Sequence, residues 1–476
     1  MSSNTNYTSQ NFAQNGGAIG TTSSCRVAVV MIPYPDHGHL NQLLHLSRLI
    51  SSYNIPVHFV SIPVAPAWKS VHSNVHFHDI CIPFPVSRTK FISPKIPSFE
   101  AMVSVVSLHC EPIITLVEKL SNATERIIVI HDSLMFNVAK MVLATCSTLL
   151  TKQDIYSFTA SSAFDYYANR QLFNGKPILI DGEPAKIFPS VRKTVPVPGF
   201  DFKKFLEESY AFNHKNVLNT SRLIEGGFID LMAKKIDANE SDEENEKWAI
   251  GPWIPSQILL TGEGNTIARN RDKCLEWLEK QSQNSVLFVC FGTTSTLSAE
   301  QIKEIAVGLE ISGYSFIWVI PEPEDGDAKD GAVPPQDFEE IVHQRGMIVR
   351  DWAPQLEILC HSSTGGFVSH CGWNSCMESI SMGVPMAAWP MQTDQPMNAF
   401  LITQVLKVGL MVRDWENGYG LVKSSAIAKA VRRLMGSDEG NKIRRRAKEL
   451  SDAVKGSIKG NGATEEMDRF IAHITR

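Results

Sequence analysis

Two stretches far apart in the chain read the same way. Arg26 to Pro33, RVAVVMIP, is an unbroken apolar run. After it come a short loop, then LNQLLHLSRLI with apolar residues at helical spacing, then a second apolar run, PVHFVSIP. Ser285 to Gly292, SVLFVCFG, is likewise followed by a loop, by the helical SAEQIKEIAVGLEIS and by SFIWVI. Unbroken apolar runs of this length mark strands buried on both faces, which is the condition of a parallel sheet covered by helices. The chain therefore starts a parallel α/β sheet twice, and the fold class expected is α/β with two such units.

Between them lies NESDEENEKWAIGPWIP, Asn239 to Pro255, an acidic run and then a Gly/Pro-rich segment. It reads as an exposed linker, and the boundary between the units is placed there. PEPEDGDAKDGAVPPQ is read as a flexible loop of the second unit, and the chain from LVKSSAIAKAVRRLM onward as helical. Parallel sheets of this kind offer crevices at the carboxyl ends of their strands, and small-molecule sites favour the space between domains. The pattern thus points to a cleft and leaves the chemistry open.

Several classes fall away on composition. The formal net charge is −5 with both signs mixed along the chain, so no concentrated basic face for nucleic acid is expected. No apolar run approaches the roughly 20 residues of a membrane span. The first 24 residues, MSSNTNYTSQNFAQNGGAIGTTSS, lack a basic and an apolar segment and are expected to form a loose tail rather than a secretory signal. Nine cysteines without a CxxC pair fit a reducing interior, so a cytoplasmic protein is expected; a monomer is expected as well. The Asn-x-Ser/Thr sequons at Asn6, Asn122, Asn219 and Asn239 are read as chance.

The residues that carry chemistry are concentrated between Trp352 and Gln395, WAPQLEILCHSSTGGFVSHCGWNSCMESISMGVPMAAWPMQTDQ. Trp352 stands at a strand's carboxyl end, before the helix-starting Pro354, and offers a flat face to a base or to the core. GGFVSH reads as a strand and CGWNSCMESISMG as a helix closed by Gly383. His370, Gly372, Asn374 and Ser375 then fall on a strand-to-helix turn, where unpaired N–H groups and the helix dipole attract anions. Gly372 would let backbone come close to the anion. Glu378, four residues beyond Asn374, could accept from ribose hydroxyls. Asp394 and Gln395 place a carboxylate and an amide side by side after the strand PMAAWP, a pair suited to vicinal hydroxyls or to helix capping. Base, ribose, diphosphate and sugar groups on successive strand ends spell a nucleotide-diphosphate sugar.

The stretch resembles, over its full length and without a gap, the signature box of plant UDP-dependent glycosyltransferases. The resemblance implies two Rossmann-like domains facing across a cleft, the GT-B arrangement. It implies an acceptor-binding domain at 25–250, a UDP-sugar-binding domain at 251–455 and a last segment, 456–476, crossing back to the first domain. By the same resemblance Trp352 stacks on uracil, and Ala353 and Gln355 contact its edge. Glu378 holds the ribose, and His370, Asn374 and Ser375 hold the diphosphate. Trp373, Asp394 and Gln395 contact the sugar, and Thr293 in CFGTTST lies beside the phosphates. A Gln at position 395 goes with glucose in that family, and UDP-xylose is the competing donor.

The first half resembles the family's catalytic portion. In PYPDHGHLNQ the family's Gly-His pair makes His39 the general base, with His37 as the alternative, and in IIVIHDSLM its charge partner is Asp132. An imidazole titrates near neutral pH and suits proton abstraction. The implied reaction is a single displacement that inverts the anomeric centre, needing no metal and no cofactor beyond the UDP-sugar co-substrate. HGHLNQLLHLSRLI, HDSLM, NTSRLIEG and DQPMNA resemble the zeatin O-glucosyltransferase group most. That implies a cytokinin acceptor, with a flavonoid, other phenolic or terpenoid alcohol as the alternative. A nicotinamide-dependent oxidoreductase is disfavoured because neither opening loop carries G-x-G-x-x-G. A binding protein without catalysis is disfavoured because His39 and Asp132 are both present.

Overall fold

A computed structural model of the chain describes residues 25–61, 74–79, 110–180, 182–185, 202–234, 246–254, 273–292, 297–320, 334–335, 337–350, 352–413, 420–458 and 464–476. Thr293, the N-terminal tail, the acidic stretch 239–245 and the loop at 321–333 lie outside the described residues.

The first apolar run is β1 (Cys25–Ile32), and PVHFVSIP supplies β2 (Val57–Ser61), paired in parallel with Val29 opposite Val57. After them come β3 (Val75–Asp79), β4 (Thr124–Asp132) and β5 (Ile155–Thr159), then a small hairpin of β6 (Leu179–Ile180) and β7 (Glu183–Pro184), then β8 (Asn216–Leu218) and β9 (Lys247–Ala249). Among the described residues they form a seven-stranded parallel sheet in the order β3-β2-β1-β4-β5-β8-β9, with the hairpin apart. The second sheet comprises β10 (Val286–Cys290), β11 (Ser315–Val319), β12 (Gly346–Val349), β13 (Thr364–Ser369), β14 (Met386–Ala388) and β15 (Gly409–Met411). It is also parallel, in the order β12-β11-β10-β13-β14-β15.

Period-two alternation places alternate residues of these strands in opposite layers, both apolar. Ile128 and Ile130 of β4 join Val29, Met31 and Phe158 on one side, while Ile127 and Val129 join Val30 and Ile32 on the other. In β10, Val286 and Phe288 face one layer and Leu287 and Val289 the other. This is why neither strand shows a polar face in the sequence.

The order matters for the site. In the first sheet the chain leaves β1 for β2 on one side and returns to β4 on the other. In the second it does the same at β10, with β11 on one side and β13 on the other. Each such reversal opens a crevice at the carboxyl ends of the two central strands. His39 follows β1, Asp132 ends β4, Gly292 follows β10 and His370 follows β13, so both crevices are furnished by the residues singled out above.

The two halves touch through apolar and polar groups. Phe164 of helix Ala163–Phe173 stacks on Phe400 of helix Gln395–Phe400, with ring centroids 5.6 Å apart. The chain then returns. Helix Asp438–Gly456 covers the second sheet, and helix Glu465–Ile474 lies on the first, burying Met467, Phe470 and Ile474. Phe470 meets the edge of Tyr156 at 5.5 Å, and Tyr53 donates to Asp468 at 2.6 Å. Among the described residues, no helix is long and apolar enough to cross a membrane.

Candidate active site

The helix after β1 starts earlier than its apolar periodicity indicates. It runs His37–Ser51 because Asp36 caps it, accepting from the Gly38 N–H at 2.9 Å. That places His39 in the first turn. Asp132, fully buried at the end of β4, accepts from His39 Nδ1 at 2.7 Å with Oδ2 and from the Leu134 N–H at 2.9 Å with Oδ1. A carboxylate only accepts, so Nδ1 carries the proton and Nε2 is the atom that can take one. Burial works against a charged imidazole here, but the Asp132 charge and hydrogen bond, helped by Asp36 and Asp394, outweigh it and bring His39 up to about 9. Asp132 thus engages His39, and His37 stands beside it on the same turn.

On the facing half, β13 ends at Ser369, and Cys371 makes the bend with φ +65°. Gly372 then caps helix Trp373–Met382. The first helical bond runs from the Cys376 N–H to the Gly372 carbonyl, so the N–H groups of Trp373, Asn374 and Ser375 have no partner within the helix. Local packing by itself requires glycine at 372: its φ is −58°, and a Cβ there would lie 2.5 Å from His370 Nε2. Gly292, with φ +76°, is tight against the same ring, a Cβ meeting it at 2.8 Å. His370 is thereby wedged between two glycines. Burial pushes its imidazole down to about 4, partly offset by a bond to the Cys290 backbone, and its Nδ1 is buried.

Gln355, at the start of helix Gln355–Cys360, gathers two of the expected residues. Its amide donates to Ser375 Oγ at 3.0 Å and to Glu378 Oε2 at 2.6 Å. Burial raises Glu378 to about 7, opposed by the Gln355 hydrogen bond. Trp352 is 70% exposed, which excludes the core as its place, while Ala353 beside it is buried. Gln395 is buried, and its Oε1 accepts from the N–H groups of Met391 and Gln392 at 2.8 and 2.9 Å. Its amide donors are the end left to face a ligand. Burial pushes Asp394 upward, opposed by Thr393 and Asn398.

Two expected residues are committed across the cleft. The Trp373 indole is buried, and its N–H donates to the Asn219 carbonyl at 3.0 Å. The Asn374 amide donates at 2.9 Å to the carbonyl of Gly38, the residue before His39. This bond joins the N-termini of helices His37–Ser51 and Trp373–Met382, two positive dipole ends meeting at the cleft. The turn pattern points Asn374 at the ligand, the family resemblance points Trp373 there, and neither gives a sign of Asn219. Asn219 donates to Gln42 at 3.0 Å and accepts from the Trp253 N–H at 2.9 Å. Buried in this way, its sequon cannot carry a glycan. Asn398, four residues beyond Asp394, is also missed by the motif, though that spacing puts the two on one helical face.

Comparison with known proteins agrees with this geometry. Residues 25–255 match the family described as Glycosyltransferase, N-terminal domain, and residues 254–435 match UDP-glucoronosyl and UDP-glucosyl transferase. The chain is 43% identical to a zeatin O-glucosyltransferase of Phaseolus lunatus, covering 95% of this chain and 97% of that one. It is 42% identical to a zeatin O-xylosyltransferase of Phaseolus vulgaris, covering 95% and 98%. The solved Phytolacca americana UGT2, complexed with UDP-2fluoro-glucose and pterostilbene, superposes with a TM-score of 0.72 at 27% identity, covering 95% and 99%. Two parallel sheets facing across a cleft, with sequence matches spanning both, make this chain a UDP-glycosyltransferase of GT-B fold and a member of the UDP-glucosyl transferase family.

Proposed function

We propose that this enzyme transfers glucose from UDP-glucose to the side-chain hydroxyl of a zeatin-type cytokinin, inverting the anomeric centre. The observation that carries the chemistry is the 2.7 Å bond between His39 and Asp132, tied to the donor turn through Gly38 and Asn374. Neutral His39 takes the acceptor's hydroxyl proton on Nε2, and Asp132 stabilises the imidazolium that results. The acceptor oxygen forms its bond to the anomeric carbon as the bond to the diphosphate breaks on the opposite face. His370 and the N–H groups of Trp373, Asn374 and Ser375 take up the charge that develops on the leaving diphosphate. The first half serves the acceptor and the second the donor, and the reading needs no metal and a single chain in the cytoplasm.

The exposed ring of Trp352 supports uracil stacking, with Ala353 and Gln355 at the base's edge and Glu378 on the ribose. Trp352→Ala is expected to weaken UDP binding by about 1–3 kcal/mol, the range of base–aromatic stacking. Calorimetric titration of UDP checks it, and equal affinities would remove the base from that ring.

Gln395 and Asp394 support glucose. With its Oε1 held by two backbone N–H groups, Gln395 presents only donors, and Asp394 beside it presents an acceptor. A site built to pair particular hydroxyls rejects a sugar whose C4 hydroxyl points the other way, because polar groups are left unpaired. Xylose lacks only the C6 hydroxymethyl, and similarity to a zeatin O-xylosyltransferase keeps UDP-xylose as the second reading. With one fixed acceptor, kcat/KM is expected to be highest for UDP-glucose, then UDP-xylose, then UDP-galactose. A higher value for either of the others overturns the donor assignment alone. For the acceptor, zeatin and a flavonol are offered in competition, and turnover of the flavonol without zeatin would replace the cytokinin by a phenolic alcohol.

A further inference from the structure

Asn398 has no exposed surface, yet every polar atom of its side chain is engaged. Its amide nitrogen donates to Asp394 Oδ2 at 2.6 Å and to the Cys371 carbonyl at 3.0 Å. Its Oδ1 accepts from Ser162 Oγ at 2.7 Å. Asp394 Oδ2 and the Cys371 carbonyl are both acceptors, so the amide can sit only with its nitrogen toward them.

The three partners come from three places. Asp394 heads the helix that carries Asn398, and Cys371 makes the bend of the donor turn. Ser162 belongs to the other half of the molecule, where its Oγ also accepts from the Asp165 N–H at 3.0 Å and caps helix Ala163–Phe173. One amide therefore spans a carboxylate, the turn beside it and the opposite lobe. The stacked Phe164 and Phe400 flank this seam, so the hydrogen bonds run beside packed rings and away from competing water.

Asp394 has few other restraints. The Thr393 hydroxyl donates to its Oδ1 at 2.9 Å, but that residue is exposed. Without Asn398, Oδ2 would lose its only other side-chain donor among the described residues, leaving the carboxylate to Thr393 and its own backbone N–H.

We propose that Asn398 is a positioning residue for sugar transfer: it holds the Asp394 carboxylate at the angle the sugar's hydroxyls require, and Ser162 of the acceptor half holds Asn398. This rests on the proposed contact between Asp394 and the sugar. The donor sugar is thereby aligned with the half that bears His39 by a side chain touching neither substrate.

The test is a double-variant cycle on Asn398→Ala and Asp394→Ala. kcat/KM for UDP-glucose, UDP affinity by calorimetry and unfolding temperature are read for each. Asn398→Ala is expected to lower kcat/KM toward roughly 10²-fold, the scale of a misplacement of about 1 Å. UDP, which lacks the sugar, should bind nearly as before. In the Asp394→Ala background the same change should cost little more, because residues acting through one another are not additive. A wild-type rate for Asp394→Ala would remove the sugar contact itself, whatever Asn398 does. An impaired Asp394→Ala beside an unimpaired Asn398→Ala, or losses that multiply in the double variant, would overturn the positioning role. Should Asn398→Ala not fold, Asn398→Asp keeps the shape and sets an acceptor against Asp394. It is expected to lower kcat/KM while UDP still binds, and a wild-type kcat/KM for Asn398→Asp would overturn the proposal.

Discussion

His39→Ala is expected to lower kcat by roughly two to four orders of magnitude while UDP-glucose still binds, because removal of a general base commonly costs that much. The physical reason is specific to this pair. The acceptor is a neutral hydroxyl, a poor nucleophile until its proton leaves, and Nε2 is the ring atom left to receive it once Asp132 occupies Nδ1. The donor turn is built from other residues, so UDP affinity should survive. His37→Ala should retain most activity, since the ring whose Nδ1 bonds Asp132 is that of His39. An inactive His37→Ala beside an active His39→Ala would reverse the assignment of the base.

Asp132→Asn should be nearly as damaging, and its pH profile should change shape. Burial opposes charge on His39, and Asp132 is the main influence that overcomes it and raises the imidazole to about 9. A base works in its unprotonated form. kcat/KM for the acceptor should therefore climb about tenfold per pH unit through neutrality and level off near 9. Asn at 132 removes the charge, so the limb should move to lower pH. The plateau should fall by roughly 10²-fold or more, since the imidazolium formed during transfer loses its carboxylate and an amide can present its N–H to the wrong ring atom. Steady-state rates across the range from neutral to alkaline pH for both proteins measure this. A limb that stays in place would detach Asp132 from the base.

Much of this site is legible in the sequence because strand ends are legible. The runs RVAVVMIP and SVLFVCFG have no polar face, and each must be a central strand. The loop after each central strand must then stand at a crevice. Strand-end reasoning reaches His370 and the turn at Gly372 before any coordinates, and the resemblance to the glycosyltransferase family adds His39 and Asp132. It does not reach the partners of Trp373 and Asn374, because both bonds cross between halves whose approach no local pattern encodes. It does not reach the packing demand at Gly372, where a Cβ would meet the His370 ring. It starts helix His37–Ser51 too late, because apolar spacing cannot register a capping Asp36. Asn398 and Asn219 escape it for a similar cause: each is a single buried amide whose importance comes from partners on separate elements.

The most direct test of the account is the reaction itself: purified enzyme, UDP-glucose and zeatin, with the product's linkage read by NMR. The expected product is a β-glucoside on the zeatin side-chain hydroxyl, with one UDP released per glucoside and formation slowed by roughly two to four orders of magnitude in His39→Ala. UDP release without a glycoside, an α-linked product, or undiminished product with His39→Ala would contradict it.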